Sequence, residues 1–170
     1  MKPYKKIAVI GCSGSGKTTL ATALGARWNL PVHHLDLYFW LPNWVERDYQ
    51  DFRALHHELC AKSEWIIDGS QVRTIADRAL IADLVIFLDV PRRICLWRII
   101  KRRWQNRCES RFDLPEGCPE RLTLKFLLYV WRYPKRYKPG VIAILDEVKK
   151  TKPVIILHSH QEIADFLGRV

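Results

Sequence analysis

The chain has 170 residues, 48% hydrophobic and 27% charged, with 28 Lys and Arg against 18 Asp and Glu and a formal net charge of +10. That length fits one domain with a sizeable core, and the composition excludes a mainly disordered chain. No apolar run reaches the roughly 18 residues that span a bilayer, and Met1-Lys2-Pro3-Tyr4-Lys5-Lys6 lacks the apolar core of a signal peptide, so a cytoplasmic protein with no membrane partner is expected.

Ile7-Ala8-Val9-Ile10 is a short β-branched run, followed by a glycine-rich turn and by Thr18 to Trp28, whose small and apolar residues suit a helix. Pro31 introduces a second strand at Val32 to Leu35, Asp48 is placed to cap a helix running to about Lys62, and Trp65-Ile66-Ile67 reads as a third, buried strand. A short helix follows Arg73, Leu84 to Leu88 is a fourth strand, and Pro91 opens a basic helix running to about Arg107. After a loop with Pro and Gly, residues 120–133 and 139–150 read as helices and Val154 to Leu157 as the last strand. Ser159-x-x-Glu162 is a capping box for the final helix. Strands alternating with helices predict one α/β domain over residues 1–170, a parallel sheet covered on both faces that binds ligands beyond the carboxyl ends of its strands.

Charge is localised. Residues 92–138 hold fourteen Lys and Arg against four acids, which accounts for the whole excess and points to an anionic partner, phosphates or nucleic acid. Cys12, Cys60, Cys95, Cys108 and Cys118 form no C-x-x-C pair, so free thiols are expected, and Cys108 with Cys118 alone is a poor zinc site. His33-His34, His56-His57 and His158-x-His160 lack further ligands nearby in sequence and read as packing or surface residues.

Directly after the first strand, Gly11-Cys12-Ser13-Gly14-Ser15-Gly16-Lys17-Thr18 matches G-x-x-x-x-G-K-[ST] in strand-to-helix context. Glycines allow a tight turn with successive N–H groups inward, and the following helix adds its positive end, so the loop is an anion cradle. In such a cradle Lys17 meets the β- and γ-phosphates of a nucleoside triphosphate, Thr18 ligates Mg²⁺ and Thr19 reaches the α-phosphate. Phosphoryl transfer also needs carboxylates, and Asp36, Asp68 and Asp89 each follow an apolar strand. Pattern alone does not separate them. Asp68, before Gly69, is favoured near Mg²⁺ because the glycine permits close approach; Asp36 suits a base on an acceptor hydroxyl; Asp89 suits a cap on the basic helix. Arg98 and Arg102 share a helix face, with Leu96, Trp97, Ile100 and Trp104 on the opposite side expected to pack inward, and Arg102 is placed to stabilise transferring phosphoryl charge. Arg73 and Arg78 are candidates for an acceptor's anionic group, helix-surface roles being the alternative. Trp40, Trp44 and Tyr38 are candidates to stack on a planar acceptor, with burial the alternative.

These motifs, with His34-Leu35-Asp36, Trp65-Ile66-Ile67-Asp68-Gly69, Arg73-Thr74, Ile86-Phe87-Leu88-Asp89-Val90-Pro91, Cys95-Leu96-Trp97-Arg98, Lys101-Arg102-Arg103 and Glu116-Gly117-Cys118-Pro119-Glu120, cover nearly the whole chain. The sequence resembles P-loop kinases of the adenylate kinase-like group, and more closely the small bacterial topology modulation, or FlaR-like, proteins. The resemblance implies a five-stranded core, use of ATP and Mg²⁺, an acceptor region at about 37–63 and a lid at about 105–119. Arg98, Arg102 and Arg103 reproduce an R-x-x-x-R-R string whose first arginine lies on adenine and whose second reaches phosphates. Where nucleoside monophosphate kinases carry D-G-[FY]-P-R, this chain has Asp68-Gly69-Ser70-Gln71-Val72-Arg73, so the acceptor stays open. The expected function is Mg-dependent transfer of a γ-phosphoryl group to a small, nucleoside-like or other acceptor. The alternative is a nucleotide-binding regulator of DNA topology that contacts nucleic acid through residues 92–138, where Trp104, Tyr129, Trp131 and Tyr133 interleave with the cations.

Overall fold

In the computed structural model, which describes residues 4–105, 113–119 and 121–170, β1 (Lys6–Gly11) leads through the glycine-rich loop into α1 (Lys17–Trp28), and β2 (Val32–His34) runs directly into the short α2 (Leu35–Phe39). A hairpin of β3 (Trp40–Leu41) and β4 (Val45–Glu46) precedes α3 (Tyr49–Ala61), and β5 (Trp65–Asp68) is followed by α4 (Ile75–Ile81). Next come β6 (Leu84–Leu88), α5 (Arg92–Gln105), α6 (Leu124–Arg136), α7 (Lys138–Val148), β7 (Val154–Leu157) and α8 (His160–Arg169). The main sheet has the order β2-β5-β1-β6-β7, every pair parallel, as the alternation of elements predicts.

Both faces of the sheet are covered, so the central strands read as unbroken apolar runs. Along β1, Ile7 and Val9 pack with residues of α1, α5, α6 and α8, whereas Ala8 and Ile10 pack with α3, α4 and α7. Asp48 caps α3 by accepting from Gln50 N at 2.8 Å and Asp51 N at 3.3 Å, and Ser159 caps α8 by accepting from Glu162 N at 3.1 Å.

Several expectations change. The second strand stops at His34, and Leu35, fully buried, starts a helix. The helix expected at 120–133 begins only at Leu124, with Thr123 as its cap, and continues through Pro134 to Arg136. Buried Val130 and Tyr133 hold that last turn to the core, and Tyr137 N donates to Tyr133 O at 3.0 Å. On α5 the expected inward face holds only at Leu96, which is half-buried against the core; Cys95 and Ile99 are fully buried, but Trp97, Ile100 and Trp104 are 59%, 52% and 70% exposed. The cause is the contact with the glycine-rich loop. A Cβ on Gly14 would lie 2.5 Å from Cys95 O, so only a slim ridge of α5 fits there. Asp89, expected to cap α5, makes no hydrogen bond to that helix among the described residues; it accepts from Lys138 Nζ at 2.7 Å and ties α7 to the end of β6. Among the described residues no helix is long and apolar enough to cross a membrane.

His56 is fully buried on α3 beside Phe52 and Cys60. Burial, aided by Arg78, pushes its pKa down to about 4. The unfolded chain therefore binds a proton near pH 6.5 that the folded chain refuses until about pH 4, and stability falls with acidification across that window. Urea titrations should show a loss on the order of 2–3 kcal/mol between pH 7 and pH 4 that His56→Phe abolishes in part. Equal pH slopes in the two proteins would contradict this assignment.

Candidate active site

At the end of β1 the backbone turns through Gly11 (φ 153°), Gly14 (φ 79°) and Gly16 (φ 103°), conformations that a side chain would strain. Ser15 N donates to Cys12 O at 3.2 Å and closes the loop, and Arg98 Nη1 donates to Ser15 O at 3.0 Å. Lys17, 8% exposed, donates from Nζ to Cys12 O at 2.9 Å, so its charge is held inside the loop. The Cys12 thiol is pushed up by its hydrogen bond with Cys95 and by burial, and stays neutral.

Thr18 opens onto two acids. Its Oγ1 lies 3.0 Å from Asp68 Oδ2 and 3.1 Å from Asp113 Oδ2, and both carboxylates are almost completely buried. One hydroxyl carries one proton, so it donates to only one of the two at a time. Asp68 also meets His34 Nδ1 at 2.6 Å. Burial alone would lower the His34 pKa, but the hydrogen bond and charge of Asp68, with Asp113 and Asp36, raise it above the ordinary imidazole value. Asp113 carries no sequence signal for this place: it stands 95 positions from Thr18, beyond the reach of any local motif. Gly69 has a different reason from the one expected, since the space of its missing Cβ is filled by Leu35, whose own Cβ would lie 2.8 Å away.

The loop borders a cleft of about 1440 Å³. Ser13, Gly14, Gly16, Lys17, Thr18, Thr19 and Arg102 line it together with Asp36, Trp40, Trp44 and Arg73. Asp36 sits in the first turn of α2 and accepts from Gln71 Nε2 at 3.5 Å. Trp40 and Trp44 meet edge to face at 5.2 Å, and Arg73 lies 5.3 Å above the Tyr49 ring. Tyr38 turns away to His33, its hydroxyl 3.0 Å from Nδ1.

Arg98 is held to Ser15 of the phosphate loop and does not itself line the cleft, whereas another helical arginine expected at the site departs from expectation. Arg78 is fully buried: Nη1 donates to Thr74 Oγ1 and Nη2 to Gly69 O, each at 2.9 Å, so it braces the turn after β5 and offers nothing to an acceptor. Burial lowers its pKa to about 10, which leaves it charged at neutral pH.

Of the expected lid, residues 106–112 and Cys108 lie outside the described residues. Residues 113–119 are fastened down: Asn43 N donates to Gly117 O at 3.2 Å, Trp44 Nε1 to Pro119 O at 2.9 Å and Cys118 Sγ to Leu41 O at 3.3 Å. The hairpin turn they grip carries Asn43 and Trp44 at φ 64° and 63°, unusual for a bulky residue. The cleft also takes Arg132 and Arg136 from α6, which the sequence assigned to a nucleic-acid surface; their spacing with Tyr129, three and seven residues on, marked a common face.

No family model matches the chain. It is similar to the uncharacterized protein YqaC of Bacillus subtilis (strain 168), 35% identical over 106 residues, 60% of this chain and 58% of that protein. The chain thus matches under two thirds of that relative's length. Among solved structures it is similar to the shikimate kinase from Acinetobacter baumannii in complex with shikimate, with TM-score 0.63, 16% identity, and coverage of 99% of this chain and 91% of that one. It is also similar to an unliganded sugar kinase from Janibacter sp. HTCC2649, with TM-score 0.56, 19% identity, and coverage of 98% and 92%. The fold is that of the P-loop kinases, and the narrower resemblance to the topology modulation group rests on sequence motifs alone.

Proposed function

We propose that the protein is a phosphotransferase that moves the γ-phosphoryl group of ATP to a hydroxyl of a small acceptor. The observation that carries this reading is one cleft lined both by the phosphate loop with Lys17 and Arg102 and by Asp36. The loop amides and Lys17 hold the triphosphate tail. Asp36 takes the acceptor proton as its oxygen bonds to the γ-phosphorus and the bond to the β–γ bridging oxygen breaks, releasing ADP. Arg102 and Lys17 stabilise the spreading charge. Trp40 and Arg73 contact the acceptor, and Arg98 supports the loop.

The residues present fit Mg²⁺. The Thr18 hydroxyl and the buried carboxylates of Asp68 and Asp113 bring hard oxygen donors together at the end of the phosphate loop, the donor set that a divalent cation such as Mg²⁺ takes. Among the described residues no three His, Cys, Asp or Glu side chains form a complete metal cage, which suits an ion that also takes phosphate oxygens and water. When bound, Mg²⁺ neutralises charge on the β- and γ-phosphates.

The test is an acceptor screen by ADP release, followed by Asp36→Asn on any acceptor found. Transfer should fall at least about 100-fold with ATP affinity retained. Wild-type turnover in the variant removes Asp36 as base, and failure of the wild-type protein to bind ATP removes the whole reading.

One observation favours a second reading, nucleic-acid contact through residues 92–138: Trp97 and Trp104 are exposed on α5, with Lys101 Nζ 5.0 Å from the Trp97 ring centre. It requires single-strand or duplex affinity that falls steeply with salt, and no binding at low salt eliminates it.

A further inference from the structure

The cleft does not end at Arg132 and Arg136. The same two side chains border a second hollow of about 490 Å³, completed by Arg92, Trp131 and Lys135. Arg92 is fixed there: its guanidinium carbon lies 3.8 Å from the Trp131 ring centre and Nη1 donates to Trp131 O at 3.1 Å. Arg132, Lys135 and Arg136 fall within about one turn of α6, a helix with no acidic residue. Among the described residues none of the three pairs with a carboxylate. Like charges at this spacing repel, and here they converge on one wall between two hollows.

The triphosphate has its own partners in Lys17, Arg102 and the loop amides. A neutral acceptor with a single reactive hydroxyl has no use for three further cations. We propose that the second hollow is an anion subsite for the acceptor, which carries a phosphate monoester remote from the hydroxyl that is phosphorylated. The hydroxyl lies at Asp36, and the phosphate lies against Arg132, Lys135 and Arg136. A phosphate monoester brings nearly two negative charges and three acceptor oxygens, which matches two guanidinium forks and an ammonium better than a carboxylate does. The identity of the occupant as acceptor rests on the phosphotransferase reading; the anion site itself does not.

The experiment follows the Trp131 indole N–H resonance of the full chain, assigned with Trp131→Phe. The phosphate loop is first saturated with AMP-PNP and Mg²⁺, so that a phosphate probe cannot report from there. Glycerol 3-phosphate should shift the resonance saturably, with glycerol inert and malonate at least tenfold weaker. Arg132→Gln combined with Arg136→Gln should weaken glycerol 3-phosphate at least tenfold with AMP-PNP affinity and melting temperature unchanged, since both side chains are exposed. No shift, equal affinity in the double variant, or malonate binding as tightly as the phosphate overturns the proposal. Failure of AMP-PNP to bind defeats the phosphotransferase reading instead, and the titration of Trp131 without it still decides the subsite.

Discussion

Lys17→Ala is expected to reduce phosphoryl transfer at least about 10³-fold, about 4 kcal/mol of transition-state stabilisation, without lowering the stability of the ligand-free protein. Lys17 is 8% exposed, and the contact resolved for its ammonium is with Cys12 O at 2.9 Å. Burying a cation against a neutral carbonyl is costly, so its removal relieves the empty protein while depriving the bound phosphates of their nearest charge. Melting temperatures with and without ATP and Mg²⁺ separate the two effects: the ligand-free value stays or rises, and the rise on adding nucleotide disappears. A variant that turns over at the wild-type rate would falsify the role given to Lys17.

Arg78→Ala should cost about 2–4 kcal/mol, because it removes two charge-assisted hydrogen bonds and opens a void beneath β5. For a chain of this size that is a drop in melting temperature of roughly 5–15 °C. Arg78→Met, which refills the volume but leaves Gly69 O without its donor, should lose about half as much. Were Arg78 an acceptor ligand instead, the Ala variant would raise KM at unchanged stability. Chemical denaturation of both variants decides between the two.

The central strands were legible because a strand buried on both faces reads as a continuous apolar run, as in Ile7 to Ile10 and Leu84 to Leu88. The phosphate loop was legible because its chemistry is local: three glycines, a lysine and a threonine within eight residues. What is not local was missed. Helical phase groups Trp97, Ile100 and Trp104 on one side of α5 but does not say which side the core takes, and the docking of Cys95 on Gly14 decides that. By sequence Arg78 reads as an acceptor ligand or a helix-surface cation, and neither reading contains the turn at Gly69 that closes over it. Asp113 meets Thr18 across 95 positions, a separation that no spacing rule encodes.

Asp113 and Pro119 are the two ends of one short strap. Asp113 is fastened to Thr18, and Pro119 to the Trp44 indole. Six peptide steps stretch to about 20 Å at most. The separation of Thr18 from Trp44 therefore has a ceiling set by that length plus the reach of the anchoring side chains, and a molecule that needs them further apart must first unfasten one end.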